Sequence, residues 1–591
     1  MGKGSGETQQ GHVRERRLAR VGRRHTEQVI ERLVRLGIAL SAERDSNRLL
    51  EMILVEAKEI CNSDGGTLYL VDEAEQNLLF AITRNDSLGI ADGGVSGHPP
   101  SLPPVPLYDG EARNFHNVAT AAFHSRQASN IEDAYRCPDY DFRGTRVFDA
   151  RTGYRSQSFL TVPLINSEDS VIGVLQLINA QDEGGTIIPF DRELQPLVEA
   201  LASQAAVALE NRQLIDAQRK LWDALIQMIA AFIDDKSPYT GGHCQRVPLL
   251  TEMLTRAACE ADHSIFSDFN MSEEEWYELH VAAWLHDCGK IATPEYVIDK
   301  ATKLETIYNR IHEIRTRFEV LHRDCEIKYL NKRLDGMDEA LARAAFDDEI
   351  RRLQDDFAFV AAANIGGEFM EAEDIERLKR IGQRKWVRHF DRTLGMSAAE
   401  NEHLIKHPPA SAPAEESLLG DTPLHAVGEY NLGELYNLSI KKGTLTREER
   451  TVINDHIDLT IRMLETLPFP KNLRRVPEYA GGHHEKMDGT GYPKGLTREQ
   501  MSIPARVMAI ADIFEALTAA DRPYKKAKTL SEALEIMARM ARNGHIDADL
   551  FDLFLRSGVW KDYAQKVLKP QQFDAVRIED YLPPANILGG D

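Results

Sequence analysis

The chain has 591 residues, of which 42% are hydrophobic and 28% charged, and its formal net charge is −22. This length predicts about three or four folding units, and the composition is typical of folded proteins rather than disordered ones. The negative charge excludes broad electrostatic attraction to nucleic acid or to an anionic membrane surface. An anionic substrate would therefore need local cations.

The sequence predicts a cytoplasmic protein with no membrane insertion and no nucleic-acid partner. No apolar stretch is long enough to span a bilayer, and the basic, Gly-rich N-terminus lacks the apolar region of an export signal. The six cysteines are dispersed and form no CxxC pair, which argues against a disulfide framework or a zinc ribbon. We interpret them as reduced thiols.

The N-terminal part of the chain predicts an antiparallel sheet flanked by helices. Apolar residues at helical spacing between residues 26 and about 62 predict two entry helices, separated by the polar turn SAERDSN. Strand-like runs follow, separated by clusters of Gly, Pro, Asn and Asp. These runs cover residues 66–71, 78–83, 158–165 and 171–179.

Residues 190–234 are almost free of helix breakers and predict one long helix that leaves the first domain. Its apolar positions recur at three and four residues, as at Leu197, Leu201 and Ala205, so another helix should cover this stripe. Two interpretations fit: a parallel homodimer that transmits a signal, or a helix packed on its own domain. We favour the homodimer.

Residues 26–211 resemble a GAF domain. The resemblance lies in VPLINSEDSVIGVLQLINAQDEGG at 162–185, followed by FDRELQPLVEALASQAAVALEN. It implies an α/β sensory domain, with the helix at about 190–235 connecting it to the rest of the chain. GAF domains bind small molecules or serve as dimerising modules, so we expect a small-molecule ligand whose identity stays open.

From about residue 236 onward the sequence is rich in metal-ligand residue types. One buried histidine alone is usually a satisfied core residue. The set differs, because His286 and Asp287 lie among apolar or small residues, where an unpaired carboxylate would cost several kcal/mol to bury. The same argument applies to Asp512, and adjacent His483 and His484 cannot both point into one apolar core. A bound cation would remove these costs.

Imidazole and carboxylate ligands without thiolate suit Mn, Fe or Zn better than Ca or Mg. Two such cations about 3.5 to 4 Å apart can share a carboxylate and activate a water as nucleophile. We expect two divalent ions, Fe or Mn, with Asp287 as the shared carboxylate.

The C-terminal part resembles the HD-GYP family, cyclic di-GMP phosphodiesterases within the HD phosphohydrolases. HHEKMDGTGYPKGL at 483–496 matches every fixed position of the signature HHExxDGxGYP, and HDCGKI and ADIFEALTAADRPYK match two further blocks. The resemblance implies an all-α catalytic domain at about 221–585 of a bacterial signalling enzyme. Such an enzyme hydrolyses cyclic di-GMP to pGpG and in some cases onward to GMP.

The resemblance also assigns metal ligands by position. Family members with a third metal carry a glutamate where this chain has Tyr239, so two metals are expected. The implied ligands are His243, His286, Asp287, His456, His483, His484 and Asp512.

Catalysis and substrate binding are assigned in the same way. His286 and Asp287 would be catalytic together with Lys290, which would contact a substrate phosphate. The remaining implied substrate contacts are Tyr492, Arg522 and Lys525. Lys290, Arg522 and Lys525 would supply the local cations that the net charge of the chain calls for.

A charged, largely helical insertion at about 315–437 interrupts the family spacing. It is flanked by an approximate echo, DKATKLETIYNRIHEIR before it and IKKGTLTREERTVINDHIDLT after it. His312 in the first copy therefore rivals His456 in the second, and the normal spacing to His483 favours His456. The insertion is either a solvated helical appendage or a cap over the site.

Two further hypotheses stand beside cyclic di-GMP hydrolysis. One is hydrolysis of another cyclic dinucleotide or a nucleotide phosphoester, because HD folds support several substrates. The other is a catalytically inactive receptor for a cyclic dinucleotide.

Overall fold

A computed structural model describes residues 34–236, 242–261, 265–366, 369–421, 426–427, 430–520 and 527–582. The chain divides into two compact units, Met1–Leu221 and Trp222–Asp591. Each unit contains hydrophobic clusters of its own. Within the described ranges, no helix combines the length and apolar character that crossing a membrane requires.

The first unit is built on an antiparallel sheet with the strand order β3-β2-β1-β9-β8-β7, to which β4 and β10 are attached. All four predicted strands are present as β1, β2, β8 and β9, each within two or three residues of its predicted ends. The strands are β1 (Ser63–Val71), β2 (Asn77–Asn85), β3 (Ile90–Gly93), β4 (Val105–Pro106), β5 (Tyr108–Asp109), β6 (Ala112–Arg113), β7 (Ser129–Ile131), β8 (Phe159–Ile165), β9 (Val171–Gln181) and β10 (Ile187–Ile188).

Helices pack against this sheet, which confirms the α/β expectation. Residues 34–42 are helical, and a second helix begins after Asp45, whose side chain accepts hydrogen bonds from the amides of Asn47 and Arg48. Its apolar face joins the sheet residues Leu68 and Leu177 in one core. The helices are α1 (Ser46–Cys61), α2 (Val118–Ser125), α3 (Arg143–Thr152) and α4 (Gln195–Lys236).

The predicted long helix is confirmed as α4, which has 42 residues and links the two units. It begins near Pro196, a residue that fits the first turn of a helix because it lacks an amide proton. Val198, Leu201 and Ala205 are fully buried in the core of the first unit.

The second unit is mostly helical, as expected. A short 3₁₀ turn at Cys288–Ala292 follows α6, and two small hairpins, β11–β12 and β13–β14, lie within the predicted insertion. The helices are α5 (His243–Cys259), α6 (Glu273–Leu285), α7 (Glu295–Ile298), α8 (Ile311–Leu334), α9 (Glu339–Asn364), α10 (Ala372–Gly382), α11 (Ala398–Lys406), α12 (Glu434–Leu438), α13 (Arg447–Thr466), α14 (Val476–Gly481), α15 (Ile503–Thr518), α16 (Leu530–Arg542), α17 (Ala548–Arg556) and α18 (Val559–Val567). The short strands are β11 (Lys385–Arg388), β12 (Ala414–Ser417), β13 (Ala426–Val427) and β14 (Tyr430–Asn431).

The insertion has a hydrophobic cluster of its own, which includes Phe318 of α8 and Val360 of α9. The two echo segments meet through a buried ion pair, because Lys300 Nζ lies 2.7 Å from Glu449 Oε1. Glu449 also belongs to the capping box with Thr446 that starts α13. The second echo segment therefore starts the helix that carries His456, while the first supports it.

Candidate metal centre

Asp287 lies at the centre of a buried cluster of histidines. It follows His286 at the end of α6 and is 1% exposed. Its Oδ2 lies 3.2 Å from Nε2 of His243 and 3.3 Å from Nε2 of His286. Its Oδ1 instead lies 3.2 Å from Nε2 of His456. The two oxygens thus face histidines on opposite sides, as a carboxylate shared by two cations requires.

The surrounding side chains form two groups. In each group the potential ligand atoms all lie within 4.8 Å of one another. Asp512 joins the first group, since its Oδ1 lies 3.3 Å from Nε2 of His243. The first group is His243, His286 and Asp287, and the second is His456, His483 and His484. The structure therefore brings together all seven side chains that the sequence nominates as metal ligands.

Backbone hydrogen bonds set the orientation of three of the imidazoles. Nδ1 of His286, His456 and His483 each pairs with the carbonyl oxygen three residues earlier, at 2.8 Å for His286 and 2.6 Å for His483. A carbonyl only accepts, so each Nδ1 carries the proton and each Nε2 presents a lone pair. The acceptors are the carbonyls of Ala283, Ile453 and Ala480.

The lone pairs at the centre have no hydrogen-bond partner among the described residues. This holds for Nε2 of His286, His456 and His483 and for Oδ1 of Asp287, all of them buried. Buried polar atoms are normally paired, and leaving them unpaired is unfavourable. Imidazole lone pairs and carboxylate oxygens converging in this way fit a divalent transition-metal ion.

Glu515 is a residue of the site that sequence reasoning missed. One of its oxygens contacts Nδ1 of His243, and the other accepts a hydrogen bond from Arg246 Nε at 2.6 Å. Burial by itself lowers the pKa of His243, but hydrogen bonds to Asp287, Asp512 and Glu515 outweigh it and raise the pKa well above the usual value. The raised pKa means that His243 carries a positive charge beside these acids when no metal is bound. A cation bound between the acids would supply this positive charge instead.

The other pKa values favour the protonation states that bind cations. Burial would raise the pKa of Asp287, but the charge of Lys290 and the hydrogen bond with His243 hold it well below its usual range. Burial of Asp512 is outweighed in the same way by its contacts with His243, so its pKa is also lowered. Burial lowers the pKa of His484 to about 4. At neutral pH the acids are therefore ionised and His484 is neutral, as metal binding requires.

The predicted substrate contacts lie in part beside the centre. Lys290 Nζ is 2.5 Å from Oδ2 of Asp287, and the Lys290 side chain is 26% exposed. The ring of Tyr492 stacks on His484, with centroids 4.9 Å apart and planes inclined by 19°. Arg522 and Lys525 lie outside the described residues, as does Tyr239.

The signature loop that carries Tyr492 is held by the buried carboxylate of Glu485. It accepts hydrogen bonds from the amides of Lys494 at 2.7 Å and Leu496 at 2.9 Å. A Cβ on Gly491 would lie 2.3 Å from the amide nitrogen of Lys486, so only glycine allows this close turn. The glutamate and this glycine of the signature thus shape the loop.

His456, and not His312, lies beside Asp287. His312 is exposed on α8, where its Nδ1 lies 2.6 Å from Nη1 of Arg315. His456 is instead 3% exposed, and its Nε2 lies 3.2 Å from Oδ1 of Asp287.

The adjacent pair His286 and Asp287 beside a buried histidine cluster, in a mostly helical unit, is the arrangement that the resemblance to the HD phosphohydrolases implies. The family model for the GAF domain matches residues 45–209, and that for the HD domain matches residues 424–550. The chain therefore contains a GAF domain and an HD domain, and the predicted resemblance is confirmed.

Several relatives of the chain are named as phosphodiesterases of cyclic dinucleotides. It is 33% identical over 156 residues to 3′3′-cGAMP-specific phosphodiesterase 1 of Vibrio cholerae, covering 26% of this chain and 35% of that protein. It is 40% identical over 117 residues to a cyclic di-GMP phosphodiesterase of Pseudomonas aeruginosa, covering 20% of this chain and 27% of that protein. A cyclic di-GMP phosphodiesterase of Thermotoga maritima is 29% identical over 240 residues, covering 40% of this chain and 58% of that protein. The chain thus spans less than two thirds of each relative's length.

Among solved structures, the GAF domain of an Acinetobacter phosphoenolpyruvate-protein phosphotransferase aligns with 32% of this chain and 95% of that chain. The identity is 16% and the TM-score 0.23.

Proposed function

We propose that this chain is a phosphodiesterase that hydrolyses cyclic di-GMP at a centre of two divalent metal ions. The observation that carries the proposal is the position of Asp287, whose two oxygens face separate groups of histidines. The names of the relatives support the same chemical class of substrate. The product would be pGpG, with GMP if a second cleavage follows.

Both ions would be Mn or Fe, because the donor set is imidazole and carboxylate without thiolate. When bound, they would lower the pKa of a water to near neutrality and offset negative charge on the phosphate. His243, His286 and Asp512 would hold one ion, while the second group would hold the other. Asp287 would contribute one oxygen to each side.

Lys290 and Tyr492 are placed to bind substrate oxygens. The ammonium of Lys290 is partly exposed beside Asp287, so it can reach a phosphate oxygen and stabilise the charge that develops there. Burial raises the pKa of Tyr492 to about 12, so its phenol remains a neutral hydrogen-bond donor. Arg522 and Lys525 are the further phosphate contacts that the resemblance implies.

Chelation and reloading test this function in the full chain. The metal-free protein should not cleave cyclic di-GMP, and about two equivalents of Mn²⁺ or Fe²⁺ should restore formation of pGpG, measured by chromatography. Binding of the nucleotide without cleavage under any metal would support an inactive receptor. Cleavage of other phosphoesters alone would contradict the assigned substrate.

A second candidate substrate is 3′3′-cGAMP, because one of the relatives is named for it. Both dinucleotides carry the 3′–5′ phosphodiester linkages on which the metal centre would act. The values of kcat/KM for the two substrates, measured on one preparation, separate these candidates. A preference for 3′3′-cGAMP would replace cyclic di-GMP in the proposal.

We also propose that α4 forms a parallel homodimer through which the GAF domain regulates hydrolysis. Leu214, Leu221 and Met228 recur every seven residues along α4 and are 62%, 61% and 47% exposed. A heptad stripe of this kind suits a two-helix coiled coil. Light scattering should show a dimer that Leu214→Arg together with Leu221→Arg converts to a monomer.

The six free thiols support the predicted cytoplasmic location.

A further inference from the structure

The last turns of α4 pack directly behind the segments that carry the metal-binding side chains. Ile226 and Ile233 are buried in the same apolar cluster as Cys244 and Cys288. Each of these cysteines directly follows a candidate metal ligand in the sequence. The end of the connecting helix therefore packs against the residues that directly follow His243 and Asp287.

Asp234 caps the helix that begins with His243. Its carboxylate accepts hydrogen bonds from the amide of Gly242 at 3.0 Å and from the amide of Cys244 at 3.4 Å. Gly242 is the N-cap of α5 and offers no side chain of its own for capping. Asp234 thus supplies the missing cap from the neighbouring helix and holds the backbone on both sides of His243.

Lys236 holds the segment behind Asp287. Its ammonium donates hydrogen bonds to the carbonyl of Lys290, at 3.3 Å, and to the carbonyl of Ile291. Both carbonyls belong to the 3₁₀ turn at Cys288–Ala292, for which Asp287 is the N-cap. A cation is favourable at the carbonyl end of such a turn.

We propose that Asp234 and Lys236 are positioning residues that couple the connecting helix to the metal centre. The four hydrogen bonds just described end on backbone atoms, not on the side chain of a candidate metal ligand. A rotation or shift of α4 would act on both the N-terminus of α5 and the 3₁₀ turn, and a different displacement of each would alter the separation of His243 and Asp287. This inference rests on the proposed metal centre and identifies the route by which its regulation would act.

The test is the affinity of the metal-free full chain for Mn²⁺, measured by calorimetry without substrate. Asp234→Ala and Lys236→Met should each weaken Mn²⁺ binding by about tenfold, the lower end of the range for residues that orient metal ligands. Asp235→Ala and Lys220→Met are matched controls, because both residues are exposed on α4, and they should bind Mn²⁺ like the wild type. Asp234→Asn should recover part of the loss, since its amide oxygen still accepts a hydrogen bond.

The outcomes separate this inference from the proposed function. Far-UV circular dichroism identifies any variant that fails to fold, and Asp234→Ala and Lys236→Met, or the one of them that folds, then decide the matter. Wild-type affinity in the folded variants would overturn the inference. A wild type that binds Mn²⁺ but cleaves no cyclic dinucleotide contradicts the proposed function alone, whereas one that binds no Mn²⁺ overturns both.

Discussion

Two carboxylates are buried to a similar degree in the two units, yet their surroundings differ. Asp149 in the first unit is 4% exposed and accepts hydrogen bonds from the hydroxyls of Tyr135 and Ser156, both at 2.7 Å. Asp287 in the second unit is 1% exposed, and its Oδ1 has no hydrogen-bond partner among the described residues. Neutral donors thus satisfy both oxygens of the first acid. In the second, Lys290 and His243 contact Oδ2, whereas Oδ1 faces the Nε2 lone pair of His456. Unmet hydrogen-bonding capacity, and not burial alone, distinguishes a candidate metal site from a structural carboxylate.

The strongest test of this contrast is Asp287→Ala. We expect this variant to lose bound metal and to reduce turnover by about 10³-fold or more. The reason is that the cations held by this shared ligand would stabilise the transition state by several kcal/mol. Metal content per chain and cyclic di-GMP hydrolysis measure the two effects. Asp149→Ala is the matched control and should retain its metal. Equal metal content in Asp287→Ala and the wild type would refute the centre.

Gly289→Ala tests how closely the two sides of the centre must approach. A Cβ at this position would lie 2.0 Å from the carbonyl oxygen of His456 and 2.7 Å from the amide nitrogen of Thr460. The methyl group should therefore push α13 away from the turn after Asp287. Displacements of about 1 Å can reduce turnover by about 10²-fold, which steady-state kinetics would reveal. Gly144→Ala, where a Cβ meets nothing within 4 Å, should leave turnover unchanged.

Asp149→Ala probes the other side of the comparison through stability. Removing the acceptor leaves the Tyr135 hydroxyl and the Ser156 donors unpaired, which should cost about 2 kcal/mol. We expect a lower melting temperature for the first unit with unchanged affinity for Mn²⁺. A loss of Mn²⁺ binding would show that this carboxylate does more than stabilise its own unit.

The features that could be predicted from the sequence are those encoded in local patterns. The four strands, α4 and the seven clustered side chains lie in periodic segments or in contiguous motifs such as HHEKMDGTGYP. The role of Glu515 could not be predicted from the sequence because it depends on contact with His243, a residue 272 positions away. Asp234 lies only 8 positions before Gly242, but no local pattern in the sequence marks its contact with the N-terminus of α5. The hairpins in the insertion could not be predicted because their strands have only two to four residues, which is too few for an alternating hydrophobic pattern.

Asp547 extends the comparison with a buried acid in the second unit that is fully paired. Its side chain is 0% exposed and lies 3.0 Å from Nε of Arg498, with Arg506 also in contact. Burial raises its pKa, but the hydrogen bond from Arg498 and the charges of both arginines outweigh it, so the pKa is lowered overall.

A carboxyl whose pKa is lower in the folded state than in the unfolded state stabilises the protein at pH values above its unfolded pKa of about 3.9. This stabilisation is lost as the pH falls from there towards the pKa of the folded state. Asp547→Asn should therefore lower stability by about 1 kcal/mol at neutral pH. The difference from the wild type should stay constant down to about pH 5 and narrow below about pH 4. Melting temperatures across this range measure it, with Asp552→Asn, from an ion pair near the surface, as the small-effect control. A difference that grows on acidification would mean that Asp547 is strained and not stabilised by its arginines.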